Sequence, residues 1–363
     1  MMRRDNRKGS ALIAALWTIA LLSMLVMSFA VDANLEAKIV SYIRLKRQAD
    51  YLIRSGVPIA ELVMEKQASA TGNETNEQAM RDRWLEPAVA LKRGQKAVVD
   101  VNDEVFNGGV IHIEIEPEPS RWNINKMGTK DYDLVWEQIF TTHEIPEEYW
   151  ETLVSSFNDW LDVDSVTLPD GAEDDFYKQL DPAYKAKNGI LDTVGELSLV
   201  KGFSNSVLYG GVINPEADVD KQISVRGIAH LFTIYGDGKI NVNAASADVL
   251  MTIPKMDELL AGAIIEEREG RGDSAVSKNG SRTKMGTSTE AAFEDFSFKT
   301  TSDVTSRIPG LPADILSYIT TSSDTYRLTI EGRVGSIVRQ IQAVVTYDSD
   351  KKKLKYLKYR EDP

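Results

Sequence analysis

The stretch SALIAALWTIALLSMLVMSFAV, residues 10–31, decides how this chain is organised. It holds 22 residues without a charge, and a helix of about 20 apolar residues crosses a hydrocarbon core about 30 Å thick. The preceding residues 1–9, MMRRDNRKG, carry four basic side chains and one acidic one. Because short basic flanks stay in the cytoplasm, we expect residues 10–31 to form a single transmembrane helix, with the rest of the chain outside.

Two other interpretations of this stretch are weaker. A cleaved secretory signal peptide also begins basic and turns apolar, but its apolar core is shorter and ends in small residues of the A-x-A type. Here Ser28, Phe29 and Ala30 lead into a further helical pattern instead. A buried core helix would seldom carry a basic cluster directly before 22 uncharged residues.

The helical pattern continues past the predicted membrane segment. Apolar residues recur at the spacing of three and four that marks an amphipathic helix; they are Leu35, Ile39, Tyr42, Ile43, Ala49, Leu52, Ile53, Val57, Ala60 and Val63. We therefore expect one helix over about residues 10–66, roughly 85 Å long at 1.5 Å per residue. Residues 32–68 would be its periplasmic continuation, and Pro58 is expected to kink it.

A small antiparallel sheet is predicted on either side of a long helical region. Alternating or β-branched segments occur at residues 96–101, 110–116, 326–330 and 340–347, a pattern typical of strands. The sheet would thus lie within residues 84–126 and 326–347 and pack on the periplasmic half of the helix. The predicted fold class is α+β, with a long N-terminal helix and a sheet that is split in sequence.

The region between the two parts of the sheet, residues 127–325, is predicted to be a large helical insert. Its apolar residues follow helical spacing, as at Trp136, Ile139 and Phe140. Residues 269–291 are rich in Gly, Ser, Thr and charge, which predicts a mobile loop. The Lys-rich tail, residues 351–363, is expected to be solvated.

Composition excludes several kinds of function. A formal charge of −13 repels nucleic-acid phosphates and anionic lipid headgroups. The chain has no cysteine, so disulfides, thiolate catalysis and thiolate zinc sites are excluded. HExxH and G-x-S-x-G motifs are absent, and each of the three histidines, His112, His143 and His230, is expected in ordinary packing or on the surface. We therefore predict that the chain is not an enzyme.

Three segments resemble helix-hairpin-helix units, and these are residues 196–209, 249–268 and 304–319. A DNA-binding hairpin needs two closely spaced glycines, so that backbone N–H groups can reach a phosphate. None of the three has both glycines, and the middle one carries Asp257 where a phosphate would lie. We interpret the units as small helical pairs of an interaction domain, with a membrane-anchored DNA receptor as the alternative.

An acidic segment at residues 158–188 is the best site candidate. Within 31 residues it carries Asp159, Asp162, Asp164, Asp170, Glu173, Asp174, Asp175 and Asp181. Calcium takes six to eight oxygen ligands, and carboxylates interleaved with turns can supply them. The spacing is not that of an EF-hand, and solvated loop charge is the alternative.

The N-terminus resembles a type IV prepilin peptidase site. Gly9 followed by Ser10 and an unbroken apolar helix is the pattern at which a basic leader is removed and the new N-terminus is methylated. By that resemblance the mature chain begins at Ser10 and residues 1–9 are the leader. Most of the wider pilin class has glutamate at the fifth mature position, which here is Ala14. That departure is a habit of the general secretion pathway protein K family.

The acidic segment carries the same resemblance. That family typically shows a tryptophan with following aspartates, a G-A-E-D element, a P-Y pair and an asparagine; the matching positions are Trp160, Asp162, Asp164, Gly171 to Asp174, Pro182, Tyr184 and Asn188. The resemblance implies a calcium-binding helical insert. We predict as carboxylate ligands Asp162, Asp164, Glu173 and Asp174, with Asn188 as a carbonyl donor and Asp159 as an alternate.

The resemblance also implies a function. It predicts a structural minor pseudopilin at the tip of the type II secretion pseudopilus, which helps initiate assembly and protein export across the outer membrane. The chain would pass once through the inner membrane, with its C-terminal part in the periplasm. Its partners would be other minor pseudopilins in a tip complex, the prepilin peptidase and the inner membrane, and no nucleic acid. A type IV pilus minor pilin is the remaining alternative.

Overall fold

The computed structural model describes residues 7–70, 82–102, 108–216, 222–271, 295–348 and 350–361. The α-helices in these ranges are α1 (Arg7–Ser69), α2 (Leu85–Lys92), α3 (Asp133–Thr142), α4 (Glu147–Leu161), α5 (Asp174–Tyr177), α6 (Asn205–Tyr209), α7 (Ala247–Leu250), α8 (Glu258–Arg268) and α9 (Thr301–Arg307). The strands are β1 (Ala97–Val101), β2 (Val110–Pro117), β3 (Trp122–Asn123), β4 (Gly211–Val212), β5 (Ser224–Val225), β6 (Phe232–Thr233), β7 (Ile240–Asn241), β8 (Ile319–Thr320), β9 (Thr325–Val334), β10 (Ile337–Asp348) and β11 (Lys353–Glu361). The fold class is α+β, as the sequence predicts.

The N-terminal and C-terminal parts of helix α1 differ in how much of their surface is buried. From residue 11 to residue 44 every side chain is exposed, with large apolar ones among them such as Phe29 at 74%. By length and composition this part could cross a membrane. From Ala49 onward the helix buries one face, at the spacing that the sequence predicts. Pro58 lies within α1, which remains helical on both sides of it.

The main sheet is antiparallel, with the order β1-β2-β9-β10-β11. Strands β2 and β9 are neighbours, with Pro117 opposite Tyr326, although about 200 residues separate them. The chain therefore leaves the sheet at the end of β2 and returns beside the point where it left. Everything between is an insert whose two ends are held together by the sheet, as the split pattern of strands predicts.

Two glycines let α1 approach the sheet closely. A Cβ atom on Gly56 of α1 would lie 2.5 Å from Ile330 Cγ2 and 3.3 Å from Ile111 Cγ2. A Cβ atom on Gly332 of β9 would lie 2.9 Å from the Ala49 carbonyl oxygen. Arg339 of β10 ties the same face of the helix through a 2.6 Å hydrogen bond from its Nε to Asp50 Oδ1.

The insert has its own apolar core, separate from the core between α1 and the sheet. Trp136 lies at its centre, with ring centroids 5.3 Å from Phe140 and Phe157 and 5.7 Å from Phe232. Small parallel strand pairs, β3 with β6 and β7 with β8, tie distant parts of it together. The insert is therefore a folded unit rather than a long loop.

Two predicted boundaries differ from the structure. The insert begins near Glu118 rather than at residue 127, because Trp122 and Ile124 pack in its core. The Lys-rich tail is ordered as β11, which pairs with β10, so the sheet extends beyond residue 347 to Glu361. Most side chains of β11 are nevertheless exposed. The predicted mobile loop, 269–291, lies largely outside the described residues.

Candidate metal centre

The acidic segment begins at the C-terminal end of α4, where Asp159 is fully buried. Its carboxylate accepts hydrogen bonds from the backbone N–H groups of Leu168, at 3.1 Å, and Ala172, at 2.7 Å. A Cβ atom on Gly171 would lie 2.1 Å from Asp159 Oδ2, so this position requires glycine. Asp159 therefore folds the following loop back onto α4, and its carboxylate is engaged in positioning the loop.

This folding brings three carboxylates together. One oxygen from each of Asp162, Asp164 and Glu173 lies within 4.8 Å of the others. Glu173 is only 4% exposed, and neither of its carboxylate oxygens accepts a well-formed hydrogen bond. Asp162 Oδ1 is likewise buried without a partner. Buried carboxylate oxygens without partners are costly in a folded protein, so these three side chains are the ones in the acidic segment that could hold a cation.

Asn188 lies beside these carboxylates. Its backbone adopts a left-handed conformation, with φ of +46°, and its side-chain Nδ2 donates to the Asp164 carbonyl oxygen at 2.5 Å. The Asn188 Oδ1 atom is buried and accepts no hydrogen bond. The carboxamide is thus held with a free carbonyl oxygen, the kind of neutral donor that calcium accepts beside carboxylates.

Burial and neighbouring carboxylates raise the pKa values of two carboxyl groups in this cluster. Burial, with Asp159 and Asp162 nearby, raises the pKa of the Glu173 carboxyl, and the Asn188 amide only moderates this. Burial also raises the pKa of Asp162, with further contributions from Asp164 and Asp159. Each shift shows that the charged form is disfavoured without a cation.

Asp174 does not join the other predicted ligands. Its carboxylate accepts from the backbone N–H of Ala186 at 3.0 Å and pairs with Lys178 at 2.8 Å. The Lys178 hydrogen bond, the largest contribution, lowers the Asp174 pKa. The structure therefore brings Asp162, Asp164, Glu173 and Asn188 together and places Asp174 in a surface ion pair.

The helix-hairpin-helix-like units are present, each with one left-handed residue in its turn. These residues are Gly202, Lys255 and Gly310, with φ of +89°, +64° and +85°. In the middle unit Asp257 is the N-cap of α8, and its Oδ1 accepts from Leu260 N at 2.8 Å. A carboxylate therefore occupies the helix N-terminus that a DNA phosphate would need.

The predicted processing site and the three histidines lie outside the acidic segment. Gly9 and Ser10 fall in the first turn of α1, and their side chains are outside the described residues. His112 lies on β2, where its Nδ1 is 2.7 Å from Asp100 Oδ1. The other two histidines, expected separately in packing or on the surface, come together beside Asp248. Sequence spacing gives no signal of that cluster.

The architecture is that of a pilin-like membrane subunit: one long N-terminal helix, an antiparallel sheet packed on its distal half, and a helical insert with an oxygen-rich site. The family model described as "Type II secretion system (T2SS), protein K" matches residues 120–209. The match covers about a quarter of the chain, and it makes the N-terminal part of the insert similar to protein K of the type II secretion system.

Three known proteins are similar to this chain. The type II secretion system protein K of Pseudomonas aeruginosa is 26% identical over 277 residues, which cover 74% of each chain. A putative type II secretion system protein K of Escherichia coli K12 is 22% identical over 209 residues, or 56% of this chain and 60% of the relative. A chain of the solved GspK-GspI-GspJ complex from enterotoxigenic Escherichia coli aligns with a TM-score of 0.46 and 12% identity, over 79% of this chain and 96% of that one.

Proposed function

We propose that this chain is a non-catalytic tip subunit of the type II secretion pseudopilus, which helps initiate pilus assembly and so export across the outer membrane. The observation that carries the proposal is the position of the insert. The chain returns from the insert at Tyr326, whose hydroxyl accepts a 2.7 Å hydrogen bond from Gln67 near the C-terminal end of α1. The insert is therefore attached at the end of α1 farthest from the apolar segment, where it would obstruct a further subunit above it.

The exposed half of α1 supports a role in assembly. Residues 11–44 bury nothing within the chain, yet they carry large apolar side chains throughout. We propose that this segment is held first in the inner membrane, as a single pass with the C-terminal part in the periplasm. It would then pack against other minor pseudopilins, because an unpartnered apolar helix in a subunit needs either lipid or protein around it.

Processing is a second part of the proposal. Prepilin peptidase would cleave after Gly9 and leave Ser10 as the methylated N-terminus. Co-expression with the peptidase should shorten the chain by the leader, residues 1–9, and Gly9→Ala should prevent it. Mass spectrometry of the N-terminus decides the point, and a mature chain that starts at another residue would contradict it.

The acidic segment is proposed to be a calcium site. We propose that Asp162, Asp164, Glu173 and Asn188 bind calcium and so order the loop after α4. Four oxygen-bearing side chains leave room for the backbone carbonyls and waters that complete a calcium shell of six to eight ligands. The buried and unpartnered oxygens of Glu173 are the support for this part.

The tip position can be tested by comparing the full chain with a variant in which a short turn replaces residues 118–324. Because Pro117 and Tyr326 are paired neighbours, such a turn can join β2 to β9 without breaking the sheet. Immunogold labelling of pseudopili should find the full chain only at filament ends. Wild-type label spaced along the filaments would refute the tip assignment. If the shortened variant were labelled within filaments, the insert would be the part of the chain that restricts the full chain to the tip.

A further inference from the structure

The insert contains a second cluster of metal-ligating side chains, which come from both sides of the acidic segment in sequence. His143 follows α3, His230 lies in the turn before β6, and Asp248 lies on α7. One ligand atom from each lies within 4.8 Å of the others. His143 Nε2 is 3.5 Å from Asp248 Oδ2, and His230 Nε2 is 2.5 Å from the same oxygen.

His143 points a free nitrogen into this cluster. The side chain is fully buried, and its Nδ1 lies 3.0 Å from the Ile139 carbonyl oxygen. A carbonyl oxygen can only accept, so Nδ1 carries the proton and Nε2 presents its lone pair. That Nε2 atom makes no hydrogen bond. A buried lone pair that faces a carboxylate oxygen is unfavourable unless a positive species lies between them.

We propose that His143, His230 and Asp248 bind one zinc ion through the two Nε2 atoms and Asp248 Oδ2. With zinc–ligand distances of about 2.0–2.1 Å, neighbouring ligands of a tetrahedral ion lie about 3.3 Å apart. The 3.5 Å separation of His143 Nε2 from Asp248 Oδ2 fits that value. His230 must move away from Asp248 by less than 1 Å, which its 53% exposed side chain permits. The fourth position faces solvent beside His230 and would hold water.

Two neighbouring groups match the usual surroundings of a zinc site. The Ile139 carbonyl fixes the tautomer and ring orientation of His143, as second partners of ligating histidines do. Arg226 binds the other oxygen of Asp248, Oδ1, and so orients the carboxylate without blocking Oδ2. Imidazole nitrogens favour zinc over calcium, so this site and the acidic loop should select different ions. The zinc ion would join three separate segments of the insert.

The test uses the purified full-length chain in detergent with saturating calcium, titrated with zinc chloride in a calorimeter. We expect one zinc ion per chain. His230→Gln and Asp248→Asn should each weaken the affinity at least tenfold. His112→Gln is the matched control, because His112 lies on the main sheet, outside the cluster, and its loss should leave the affinity unchanged. Cobalt should give the strong visible absorption of a tetrahedral nitrogen–oxygen site in the wild type and in His112→Gln, and lose it in His230→Gln.

His230 is the residue chosen for replacement because it is half exposed, whereas a change at buried His143 could unfold the insert. Circular dichroism and a thermal melt without metal check that each variant is folded. The proposal is overturned by a wild-type chain that binds no zinc, by unchanged affinity in folded His230→Gln, or by equal loss in His112→Gln. Loss of zinc binding in Glu173→Gln instead would place the ion in the acidic loop and overturn it as well.

Discussion

At the scale of single residues, Glu173 supports the proposal that the acidic loop binds a cation. It is buried beside Asp159 and Asp162, and neither of its carboxylate oxygens accepts a well-formed hydrogen bond. Raised carboxyl pKa values mean that, without metal, ionisation destabilises the fold. The metal-free protein should therefore be more stable below these pKa values and lose that stability as the pH rises through them.

Calcium should reverse this pH dependence. At a free concentration one hundred times its dissociation constant, calcium should stabilise the full chain by about 2.7 kcal/mol and raise the melting temperature. This calcium-dependent gain in the free energy of unfolding should be complete at neutral pH. It should shrink as the pH falls through the raised carboxyl pKa values, starting above the ordinary value of about 4, because protons compete for the ligands.

Glu173→Gln tests the assignment of the ligand. It should weaken calcium binding at least tenfold, while the metal-free variant should be no less stable than the wild type, since a buried charge is removed. Asp174→Asn is the control, because Asp174 is engaged by Lys178 and Ala186, and its calcium affinity should stay within about twofold. Calorimetric titration and melting with and without millimolar calcium measure both. A calcium affinity lost in Asp174→Asn but kept in Glu173→Gln would contradict the ligand set.

At the scale of elements, the contact between α1 and the sheet depends on the absence of a side chain at Gly56. Glycine inside a helix costs about 1 kcal/mol relative to alanine. The structure retains it because Ile330 and Ile111, both fully buried, occupy the space that a Cβ atom would need. Close packing therefore outweighs helix propensity at this position.

Gly56→Ala should accordingly destabilise the chain in spite of its better helix propensity. Overpacking a core costs about 1–3 kcal/mol and the better helix propensity returns about 1 kcal/mol, so a net loss of up to about 2 kcal/mol is expected. Ser55→Ala is the matched control, because Ser55 is exposed on the neighbouring position of α1 and gains propensity without meeting the sheet. Denaturant unfolding of the two variants compares them. If Gly56→Ala proved as stable as Ser55→Ala, the close contact would be wrong.

At the scale of the whole molecule, Glu118 joins the insert to the sheet. It is fully buried, accepts from Arg327 of β9 at 2.7 Å and 3.1 Å, and also accepts from the Thr233 hydroxyl of β6. One carboxylate thus fixes the two cores relative to each other at the point where the chain enters the insert.

Glu118→Ala should loosen this junction. Removing one partner of a buried ion pair costs about 3–5 kcal/mol, and we expect the low end because the Arg327 side chain is 39% exposed. Differential scanning calorimetry should show the insert and the sheet unfolding in separate transitions. Glu331→Ala is the control, since its pair with Arg333 is an exposed one worth about 0–1 kcal/mol. A single, unshifted transition in Glu118→Ala would contradict this role.

The sequence by itself determined what depends on spacing along the chain. The long helix, four of the strands and the acidic loop follow from local periodicity and composition, and the four supported ligands lie within 27 residues, from Asp162 to Asn188. Even there, only the fold distinguishes Glu173, turned inward, from Asp174, one residue later and turned to Lys178. The sequence cannot separate Glu173 from Asp174 because both carry a carboxylate. The backbone at the start of α5 determines that the Glu173 side chain points inward and the Asp174 side chain points outward.

Only the tertiary structure decided what depends on distant segments meeting. The pairing of β11 was not predicted, because its lysine-rich pattern is typical of solvated chain, and an edge strand can keep such side chains exposed. His143, His230 and Asp248 come from three segments up to 105 residues apart, which the insert core brings together. Long-range convergence is set by how buried side chains pack, and that packing leaves no regular spacing in the sequence.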